Sequence, residues 1–597
     1  MSNWPYKKLY NIEVFRNDAE TLLKGIDRCR NLEEVRQILL QRVTRLFRYP
    51  LNGEDLPAHK LIRIRDCSLM LMSVFSERSD FKTGFSITKA IWDISRGRQR
   101  PDLKPGFYAE LIHWIRGLEG KADFQFLCKP SENNKPSGRE KAIARSGELD
   151  RIWEVVHERI GTYADGLSIE SQLKRDKRRK EILFKLGGQE NDWDNWKWHV
   201  QHLITSPDIL GKLTQIEKSQ YTDIKKALKG RLPFGITPYY VSLMDDEPSE
   251  NDRAIRAQVI PPKSYVENML LNRKAGEHSF DFMLESDTSP IDIITRRYPG
   301  VIIMKPVMTC PQICVYCQRN WEIEQVMAPH SFASESQINS AVKWINEHPA
   351  VHEVLVTGGD PFIMADHQLD SLLNRLAKIR HIDLIRIGTR IPVTLPMRIT
   401  KRLAGLLGKY REVGKRDMAV MTHIEHPYEI TPATAEAIDR LRCQGISVYN
   451  QQVFTFYVSR RFESTLLRIL LRRIGVDPYY TFMPKGKEET SDYRVPIARI
   501  LQEQEEEARL VPGLRRTDEA VFNIPGLGKN YLRAVQHRDL LTVLPDGRRV
   551  YEFHPWEMNI TSSKTHIHKD MPILDYLLRL SKLGEDPEEY GTIWFYM

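Results

Sequence analysis

Apolar residues recur every three to four positions through the first 186 residues of the chain. One such run comprises Val35, Ile38, Leu39, Val43, Leu46 and Phe47. This spacing predicts amphipathic helices. A polar stretch over residues 131–138 is predicted to be an exposed loop, and Gly187-Gly188 ends the last helix. The pattern therefore predicts a helical N-terminal extension over residues 1–187, to which the sequence assigns no role.

Two segments beside this boundary carry conspicuous side chains. The basic run Lys174–Lys180 could contact phosphates, although such runs are more often the solvated face of a helix. The aromatic segment Asp192–Leu203 is expected to pack rather than to do chemistry, because its spacing suits one buried helix face. It opens a helical lead-in that we place at residues 188–290.

From Gly300 onward, short apolar runs alternate with amphipathic helices, which is typical of parallel strands joined by crossover helices. The predicted strands are Val301–Met304, Glu353–Thr357, Asp383–Ile387, Met418–Thr422, Ser447–Asn450 and Tyr479–Met483. The pattern predicts an α/β fold with a partial (β/α)6 barrel over residues 291–485 and a small α+β region over 486–597. Reactive groups should gather at the carboxyl ends of the strands.

Composition narrows the class of protein. The 597 residues are 41% hydrophobic and 28% charged, which argues against disorder and fibres and is enough for several domains. The formal net charge of +9 is small for this length, so binding to nucleic acid is not expected. Seven cysteines, an N-terminus without an apolar signal core and no long apolar run together predict a cytoplasmic protein without a membrane span.

Three of the cysteines follow the first predicted strand, at Cys310, Cys314 and Cys317. Structural zinc sites usually use four ligands in paired CxxC motifs, and no second pair is present. Three thiolates suit a [4Fe–4S] cluster that keeps one iron open to an external ligand. With this loop the chain resembles the radical S-adenosylmethionine (SAM) enzymes, in which that iron binds the methionyl end of SAM.

A narrower resemblance extends over roughly residues 192–556. The segments that carry it, in chain order, are Arg296–Pro299, Thr357–Pro361, Arg386–Val393, Thr422–Pro427 and Asn450-Gln451. Together they resemble the lysine 2,3-aminomutase family. The resemblance implies radical migration of an amino group from C2 to C3, with a [4Fe–4S] cluster, SAM and pyridoxal phosphate (PLP) as cofactors. It also implies SAM contacts at Gly358, Gly359, Asp360, Arg390, His423 and Gln451.

The PLP residues are likewise carried over from the family. Lys529, in the glycine-bearing segment Phe522–Lys529, is the candidate PLP lysine, and we expect it to lie on a mobile loop. That segment is one residue shorter than the family's usual glycine run. Arg297 and Tyr298 match the PLP-phosphate side, whereas a second family arginine would fall at Val301.

The substrate residues separate branches of this family. Arg319 matches the residue that holds the α-carboxylate, and Lys485 and Asn523 stand where lysine-specific members have two aspartates. A lysine there would repel the distal ammonium of substrate lysine, so the pair resembles the glutamate 2,3-aminomutase branch. Alternatively, Lys485 turns outward to Glu488 or Glu489 and leaves a neutral pocket.

Several other expectations follow. The expected partners are a small amino acid, a reductant such as flavodoxin or ferredoxin, and further copies of the chain in a homo-oligomer. We expect no structural zinc, because no cysteine follows Cys443 and His566-Ile-His568 is a weak metal pair in what we take for a solvated tail. Lysine or another amino acid as substrate, racemisation, and modification of a macromolecule docked by the N-terminal extension stay open as alternatives.

Overall fold

The fold is described from a computed structural model, which covers residues 4–48, 56–122, 137–275, 280–319, 322–484, 487–555 and 564–597. The chain divides into two compact units. The core unit comprises Arg159–Arg494 and Ala508–Gly528, and the terminal unit comprises Met1–Glu158, Val495–Glu507 and Lys529–Met597. The sequence-based boundaries at 187, 290 and 485 follow changes in sequence pattern rather than compactness, and they stay a prediction.

Both units contain many helices. In the first part of the chain they are α1 Tyr6–Leu9, α2 Ile12–Asp18, α3 Glu20–Leu23, α4 Leu32–Arg48, α5 Ala58–Val74, α6 Glu77–Thr83, α7 Ile87–Ser95, α8 Pro105–Leu118, α9 Gly138–Gly161, α10 Ile169–Leu186, α11 Trp196–Gln201, α12 Pro207–Leu213, α13 Lys218–Lys229, α14 Pro238–Val241, α15 Arg253–Val259 and α16 Lys263–Ala275. Those that follow are α17 Glu335–Asn346, α18 Asp366–Ala377, α19 Ile391–Thr394, α20 Lys401–Gly408, α21 Pro432–Arg442, α22 Glu463–Arg473, α23 Ile497–Gln502 and α24 Ile573–Lys582. None of these described helices is long and apolar enough to cross a bilayer.

The core unit is built on a curled sheet whose strands follow chain order. They are β1 Ile294–Thr295, β2 Val301–Val307, β3 Glu353–Gly358, β4 Leu384–Gly388, β5 Asp417–Thr422, β6 Ser447–Val453, β7 Asp477–Phe482 and β8 Glu519–Ile524, and β9 Gly528–Tyr531 begins on the last residue of the unit. Strands β2 to β8 are all parallel, and β1 is antiparallel to β2. The six predicted strands are confirmed as β2–β7, with ends that differ by at most three residues. The chain is therefore a mixed α/β protein.

Burial explains why these strands could be read from the sequence. Five of the six residues of β5 are buried, so the strand appears as an almost unbroken apolar run. Helix α21 packs against the next strand, β6, begins with Thr431 as N-cap and Pro432 in its first turn, and buries Ala437, Ile438 and Leu441. Since the strands themselves are packed into the core, the carboxyl ends of β2–β7 are the place where loops can carry chemistry.

The two conspicuous segments near residue 187 are structural. Trp198 and His199 are buried, and His199 Nε2 lies 2.7 Å from the Trp193 carbonyl oxygen, which confirms the predicted packing role. The solvated-face interpretation of the basic run holds only in part. Lysines 174, 177 and 180 are exposed, whereas Arg175 and Arg178 are buried and donate to backbone carbonyls such as those of Tyr428 and Met244.

The terminal unit joins the two ends of the chain. Its sheet is formed by the antiparallel strands β10 Arg538–Val543, β11 Arg549–Phe553 and β12 His566–Lys569, so His566 and His568 lie on a strand rather than in a solvated tail. Helices α5 and α6 pack against β10, and α8 packs against α5 and α24. Glu110 on α8 pairs with Arg549 on β11 at 2.8 Å, and both side chains are 1% exposed. Residues of the N-terminal extension thus complete the core around this sheet.

Candidate active site

The cysteine loop leaves the carboxyl end of β2 and is held by backbone hydrogen bonds on two sides. Ile313 N–H donates to the Gly235 carbonyl and Val315 N–H to the Gln258 carbonyl, both at 2.9 Å. Both acceptors belong to the helical lead-in. The lead-in therefore fixes the loop that carries Cys310, Cys314 and Cys317.

The three thiols of the core unit lie close enough for negative charge on one to raise the pKa of another. Burial raises the pKa of Cys310, and negative charge on Asp360, Cys317 and Cys314 raises it further. Burial also raises the pKa of Cys314 to about 11 against the opposing effect of Arg390. In the described part of the chain, no three His, Cys, Asp or Glu side chains are already gathered closely enough to hold a metal ion. The donor set still fits an iron–sulfur cluster, because soft sulfur donors on one partly buried loop lose their protons when a metal centre binds.

The glycine pair after β3 has a steric cause. Gly358 has a φ of +111°, and a Cβ on either glycine would overlap the backbone of Val307 or Thr309. Gly359 N–H donates to the Val307 carbonyl at 2.6 Å and Asp360 N–H to the Thr309 carbonyl at 3.0 Å. The glycines therefore let the end of β3 press against the chain that enters the cysteine loop, and this contact is a requirement of the fold apart from any ligand.

Asp360 links β3 to the end of β4. Its carboxylate accepts hydrogen bonds from Thr389 Oγ1 at 2.6 Å, from Arg390 N–H at 2.8 Å and from Phe362 N–H at 3.1 Å. Asp360 thus orients the backbone of Arg390, and its predicted contact with the SAM ammonium stays a prediction.

Arg390 is the hub of the site. Nη1 lies 2.8 Å from Cys314 Sγ, Nε donates to the His423 carbonyl at 3.2 Å, and Nη2 lies 2.7 Å from Glu429 Oε1. His423 Nδ1 in turn lies 2.8 Å from the Gln451 carbonyl oxygen. Burial and Arg390 lower the pKa of His423 to about 4, so its imidazole is neutral near pH 7. Contacts thus connect one predicted cluster ligand to three predicted SAM residues.

Three residues of this network were not predicted. Glu429 Oε1 accepts from Tyr240 Oη at 2.7 Å and from Gln258 Nε2 at 3.0 Å, in addition to its pair with Arg390. Glu429 lies just after the His423 motif and could have been included. Tyr240 and Gln258 come from the lead-in, where nothing in the sequence marks them.

Glu425, in the same motif, is buried, and burial raises its pKa to about 8 despite the nearby Arg390. His426 lies 3.0 Å from Glu463 Oε1 through Nε2 and accepts from Tyr428 N–H at 3.2 Å through Nδ1. Both ring nitrogens of His426 therefore have partners, and the residue is structural.

Arg319 lies two residues after the last cluster cysteine and is fixed by a carboxylate. Nη2 donates to Glu285 Oε1 at 2.8 Å and Nε to Glu285 Oε2 at 3.3 Å. Glu285 Oε1 also accepts from Gln318 Nε2 at 2.8 Å, and Lys305 Nζ lies 3.5 Å from Oε2. This ion cluster, formed by Glu285, Lys305, Gln318 and Arg319, stands beside the cysteine loop.

The predicted PLP residues are brought close in part. A Cβ on Gly528 would lie 2.7 Å from Tyr298 Oη and 3.3 Å from Arg297 Cδ, so the backbone just before Lys529 runs against this pair. The expected loop position of Lys529 is wrong: the residue is the second of β9, because the glycine-rich turn ends before it. Lys529 is half-buried and belongs to the terminal unit.

Of the two residues predicted to select the distal group of the substrate, the structure describes Asn523. Lys485 lies outside the described residues. Asn523 lies on β8 and is half-buried, and no described residue forms a hydrogen bond with its side-chain amide. Glu489, one of the alternative partners of Lys485, is buried and pairs with Lys487 at 2.8 Å.

Comparison with known proteins places the chain in a family. No family model matches it. It is 44% identical over 548 residues to an uncharacterised KamA family protein of Methanocaldococcus jannaschii, and the match covers 88% of each chain. The chain belongs to the KamA family. This KamA-family chain is also 33% identical over 358 residues to a glutamate 2,3-aminomutase of Clostridioides difficile, a match that covers 60% of the chain and 80% of that enzyme.

An L-lysine 2,3-aminomutase of Acetoanaerobium sticklandii is 29% identical over 415 residues, which cover 65% of the KamA-family chain and 93% of the relative. The resemblance seen in the motifs is thereby confirmed. Aminomutases are isomerases, and the prediction of an isomerase is confirmed with it.

Proposed function

We propose that this KamA-family protein is a radical SAM 2,3-aminomutase that moves the amino group of an α-amino acid from C2 to C3. L-Glutamate, which would give β-glutamate, is the favoured substrate. The observation that carries the proposal is the chain of contacts from Cys314 through Arg390 to His423 and Gln451. Residues from the cysteine loop, from just after β4 and β5, and from the second half of β6 meet there. We assign the sheet around them to a partial (β/α)6 barrel, supported by the parallel order of β2–β7.

The proposal gives each cofactor its own residues. Cys310, Cys314 and Cys317 would hold a [4Fe–4S] cluster, and Gly358, Gly359, Asp360, Arg390, His423 and Gln451 would bind SAM. When bound, the cluster and SAM supply a radical, and PLP activates the amino group for migration. The protein supplies binding and orientation: Arg390 keeps a positive charge beside Cys314, and the neutral His423 leaves the second ring nitrogen available as a hydrogen-bond partner.

Lys529 would hold PLP, with Arg297 and Tyr298 on the phosphate side. Arg297 donates one of its five guanidinium N–H groups to the Met283 carbonyl, at 2.6 Å. The backbone of Gly528 approaches Arg297 and Tyr298 within the core unit, and the assignment of Lys529 itself rests on the family resemblance.

The acidic substrate is supported by residue type at two positions. Arg319 would hold the α-carboxylate, and Lys485 with Asn523 would receive the distal carboxylate. If they are the selectors, Lys485→Asp combined with Asn523→Asp should shift the preference from glutamate toward lysine. A double variant that still prefers glutamate would show that other residues select the substrate.

Product analysis tests the proposal as a whole. Cluster-reconstituted protein is incubated anaerobically with SAM, PLP, a chemical reductant and either L-glutamate or L-lysine, and the β-amino acid is sought by mass spectrometry. β-Glutamate alone is the expected result. β-Lysine alone would keep the aminomutase and overturn the substrate. 5′-Deoxyadenosine with neither product would contradict a 2,3-aminomutase acting on either amino acid.

Two single cysteine variants, one in the cysteine loop and one outside it, test the cluster site with a matched control. Cys314→Ser should abolish SAM cleavage and lower the iron content, because a hydroxyl is a poor replacement for the thiolate. Cys443 is exposed and lies outside the loop, so Cys443→Ser should retain both. Equal iron content and SAM cleavage in the two variants would remove Cys314 from the cluster site.

The remaining parts of the proposal concern the protein's location, its partners and its metal content. They are a cytoplasmic location, a flavodoxin- or ferredoxin-type reductant, a homo-oligomer and no structural zinc, the last being testable by metal analysis. The macromolecule alternative is tested by RNA binding at increasing salt, since phosphate contacts weaken steeply with salt.

A further inference from the structure

Glu285 grips Arg319 by one edge of the guanidinium. The two hydrogen bonds, Nη2 to Oε1 at 2.8 Å and Nε to Oε2 at 3.3 Å, form a side-on fork. The side chains of Arg319 and Glu285 are only 16% and 10% exposed, so the pair is largely shielded from water. A guanidinium held in this way cannot rotate about its long stem, and its direction is set by the carboxylate.

Glu285 is itself fixed from several sides. Its backbone N–H donates to Asp281 Oδ1 at 2.7 Å, and its carboxylate receives Gln318 Nε2 at 2.8 Å and Lys305 Nζ at 3.5 Å. Lys305 lies between two acids, since it is also 3.3 Å from Glu322 Oε1. Its charge offsets part of the negative charge on Glu285, which would otherwise repel a second carboxylate approaching Arg319.

The other edge of Arg319 is left over. A guanidinium carries five N–H donors, and the grip of Glu285 uses one on Nε and one on Nη2. No described residue accepts a hydrogen bond from Nη1. Nη1 and the second N–H of Nη2 therefore form an end-on fork, which has the geometry that binds a carboxylate through two parallel hydrogen bonds.

We infer that Glu285 is a positioning residue for substrate. It holds Arg319 side-on, so that the end-on fork of the guanidinium receives the α-carboxylate of the amino acid, while Lys305 offsets the added negative charge. This inference rests on the proposed function, and it concerns how the α-carboxylate site is built rather than which cofactors are used. Glu285 thereby joins Arg319 in the α-carboxylate site, although no sequence motif singled out Glu285.

The test is ligand binding by a charge-neutral variant. Glu285→Gln keeps the size of the side chain but puts an amide against the guanidinium. Titration calorimetry on the anaerobic holoenzyme without SAM compares L-glutamate with 4-aminobutyrate, which is glutamate without its α-carboxylate. Glutamate should bind about tenfold more weakly to the variant, because a charge-assisted fork is lost, and 4-aminobutyrate should bind as it does to the unaltered protein. In the activity assay the KM should rise about tenfold with a much smaller change in kcat.

Asp287→Asn is the matched control. It removes the same charge two residues along, from an exposed side chain, and should change neither affinity. Equal weakening of both ligands by Glu285→Gln, or unchanged glutamate affinity, would overturn the inference. If wild-type protein converts lysine instead, the pair of probes becomes L-lysine and 1,5-diaminopentane. If it binds and converts neither amino acid, the proposed function and this inference fail together, whereas turnover by wild type with an unaffected variant refutes the inference alone.

A second variant tests whether Glu285 acts through Arg319. Arg319→Lys keeps the charge but cannot offer two forks, so it should weaken glutamate binding about tenfold or more and spare 4-aminobutyrate. In the double variant the two effects on glutamate affinity should not add, because both substitutions break one unit. Full additivity would show that Glu285 and Arg319 act independently.

Discussion

At the scale of single residues, Arg390 carries the site. Its guanidinium reaches Cys314, the His423 carbonyl and Glu429 at once, which needs donors fixed in three directions. A planar fork does this, whereas an ammonium is a point charge on a flexible stem. The motif comparison predicted the residue itself. Its partners Tyr240 and Gln258 could not be predicted, because a lone tyrosine and glutamine in a helical segment carry no signal until the fold brings them to the strand ends.

Arg390→Lys should therefore lower 5′-deoxyadenosine formation by about two orders of magnitude, since misplacing a positioning group by an ångström has this effect. The measurement is chromatographic detection of 5′-deoxyadenosine under anaerobic conditions. Arg402→Lys is the control, because the Arg402 side chain is 81% exposed on α20. An Arg390→Lys enzyme with wild-type SAM cleavage would remove Arg390 from the SAM site.

His199 predicts a pH dependence of stability. Burial lowers its pKa from 6.5 to about 4, so between these values the unfolded chain binds a proton that the folded chain does not, and stability falls as pH falls. Between pH 7 and pH 5 the wild type should lose about 2 kcal/mol more than His199→Gln in urea unfolding. His352→Gln, at an exposed histidine, should behave as wild type. Parallel losses in wild type and His199→Gln would contradict the assignment.

At the scale of elements, apolar runs and turn residues explain which strands could be predicted from the sequence and which could not. Short apolar runs between amphipathic helices mark buried or partly buried strands, so β2–β7 could be located. Strand β8 carries a similar run, but it follows β7 only after helical segments, and the sequence pattern places it in the C-terminal region. The glycines and proline before Lys529 predict a loop, yet the turn ends at Leu527 and the strand begins immediately.

The glycine after β3 gives a prediction at this scale. Gly359→Ala should cost about 1–3 kcal/mol of stability and reduce retained iron, because its Cβ would overlap the Thr309 backbone and displace the entry to the cysteine loop. Thermal unfolding and iron analysis measure the two effects.

Gly405→Ala is the control for that substitution. A Cβ at Gly405 would meet nothing within 4 Å, and the residue lies inside α20. The alanine there should raise stability by about 0.5–1 kcal/mol. Equal stability of the Gly359→Ala and Gly405→Ala proteins would show that the close approach at Gly359 is not needed.

At the scale of the whole molecule, residues 1–158 of the N-terminal extension form one folded unit with the C-terminal sheet, whereas the rest of the extension belongs to the core unit. Its helices were predictable from their periodicity, but their partner was not, because packing between the two ends of a chain leaves no local signal. The buried pair Glu110–Arg549 joins α8 to β11 and is a direct record of that packing.

Breaking this pair tests the unit. Glu110→Gln should destabilise the protein by about 3–5 kcal/mol, because it leaves the Arg549 charge buried and uncompensated. Asp546→Asn breaks a surface pair with Arg548, in which both side chains are 41% exposed, and should cost less than about 1 kcal/mol. Chemical unfolding followed by fluorescence distinguishes the two. Similar small losses would mean that the extension contributes little to this unit.

The most direct measurement follows the amino group itself. Anaerobic holoenzyme is given L-glutamate labelled with ¹⁵N at the amino group and with deuterium at C3. A separate reaction with unlabelled glutamate is the reference, and the products of both are analysed by mass spectrometry. A 2,3-aminomutase predicts β-glutamate that retains the ¹⁵N, with deuterium appearing in the 5′-deoxyadenosine pool as hydrogen is exchanged through it. β-Glutamate that has lost the ¹⁵N, or 5′-deoxyadenosine that never acquires deuterium, would contradict the assignment of this KamA-family protein as a radical 2,3-aminomutase.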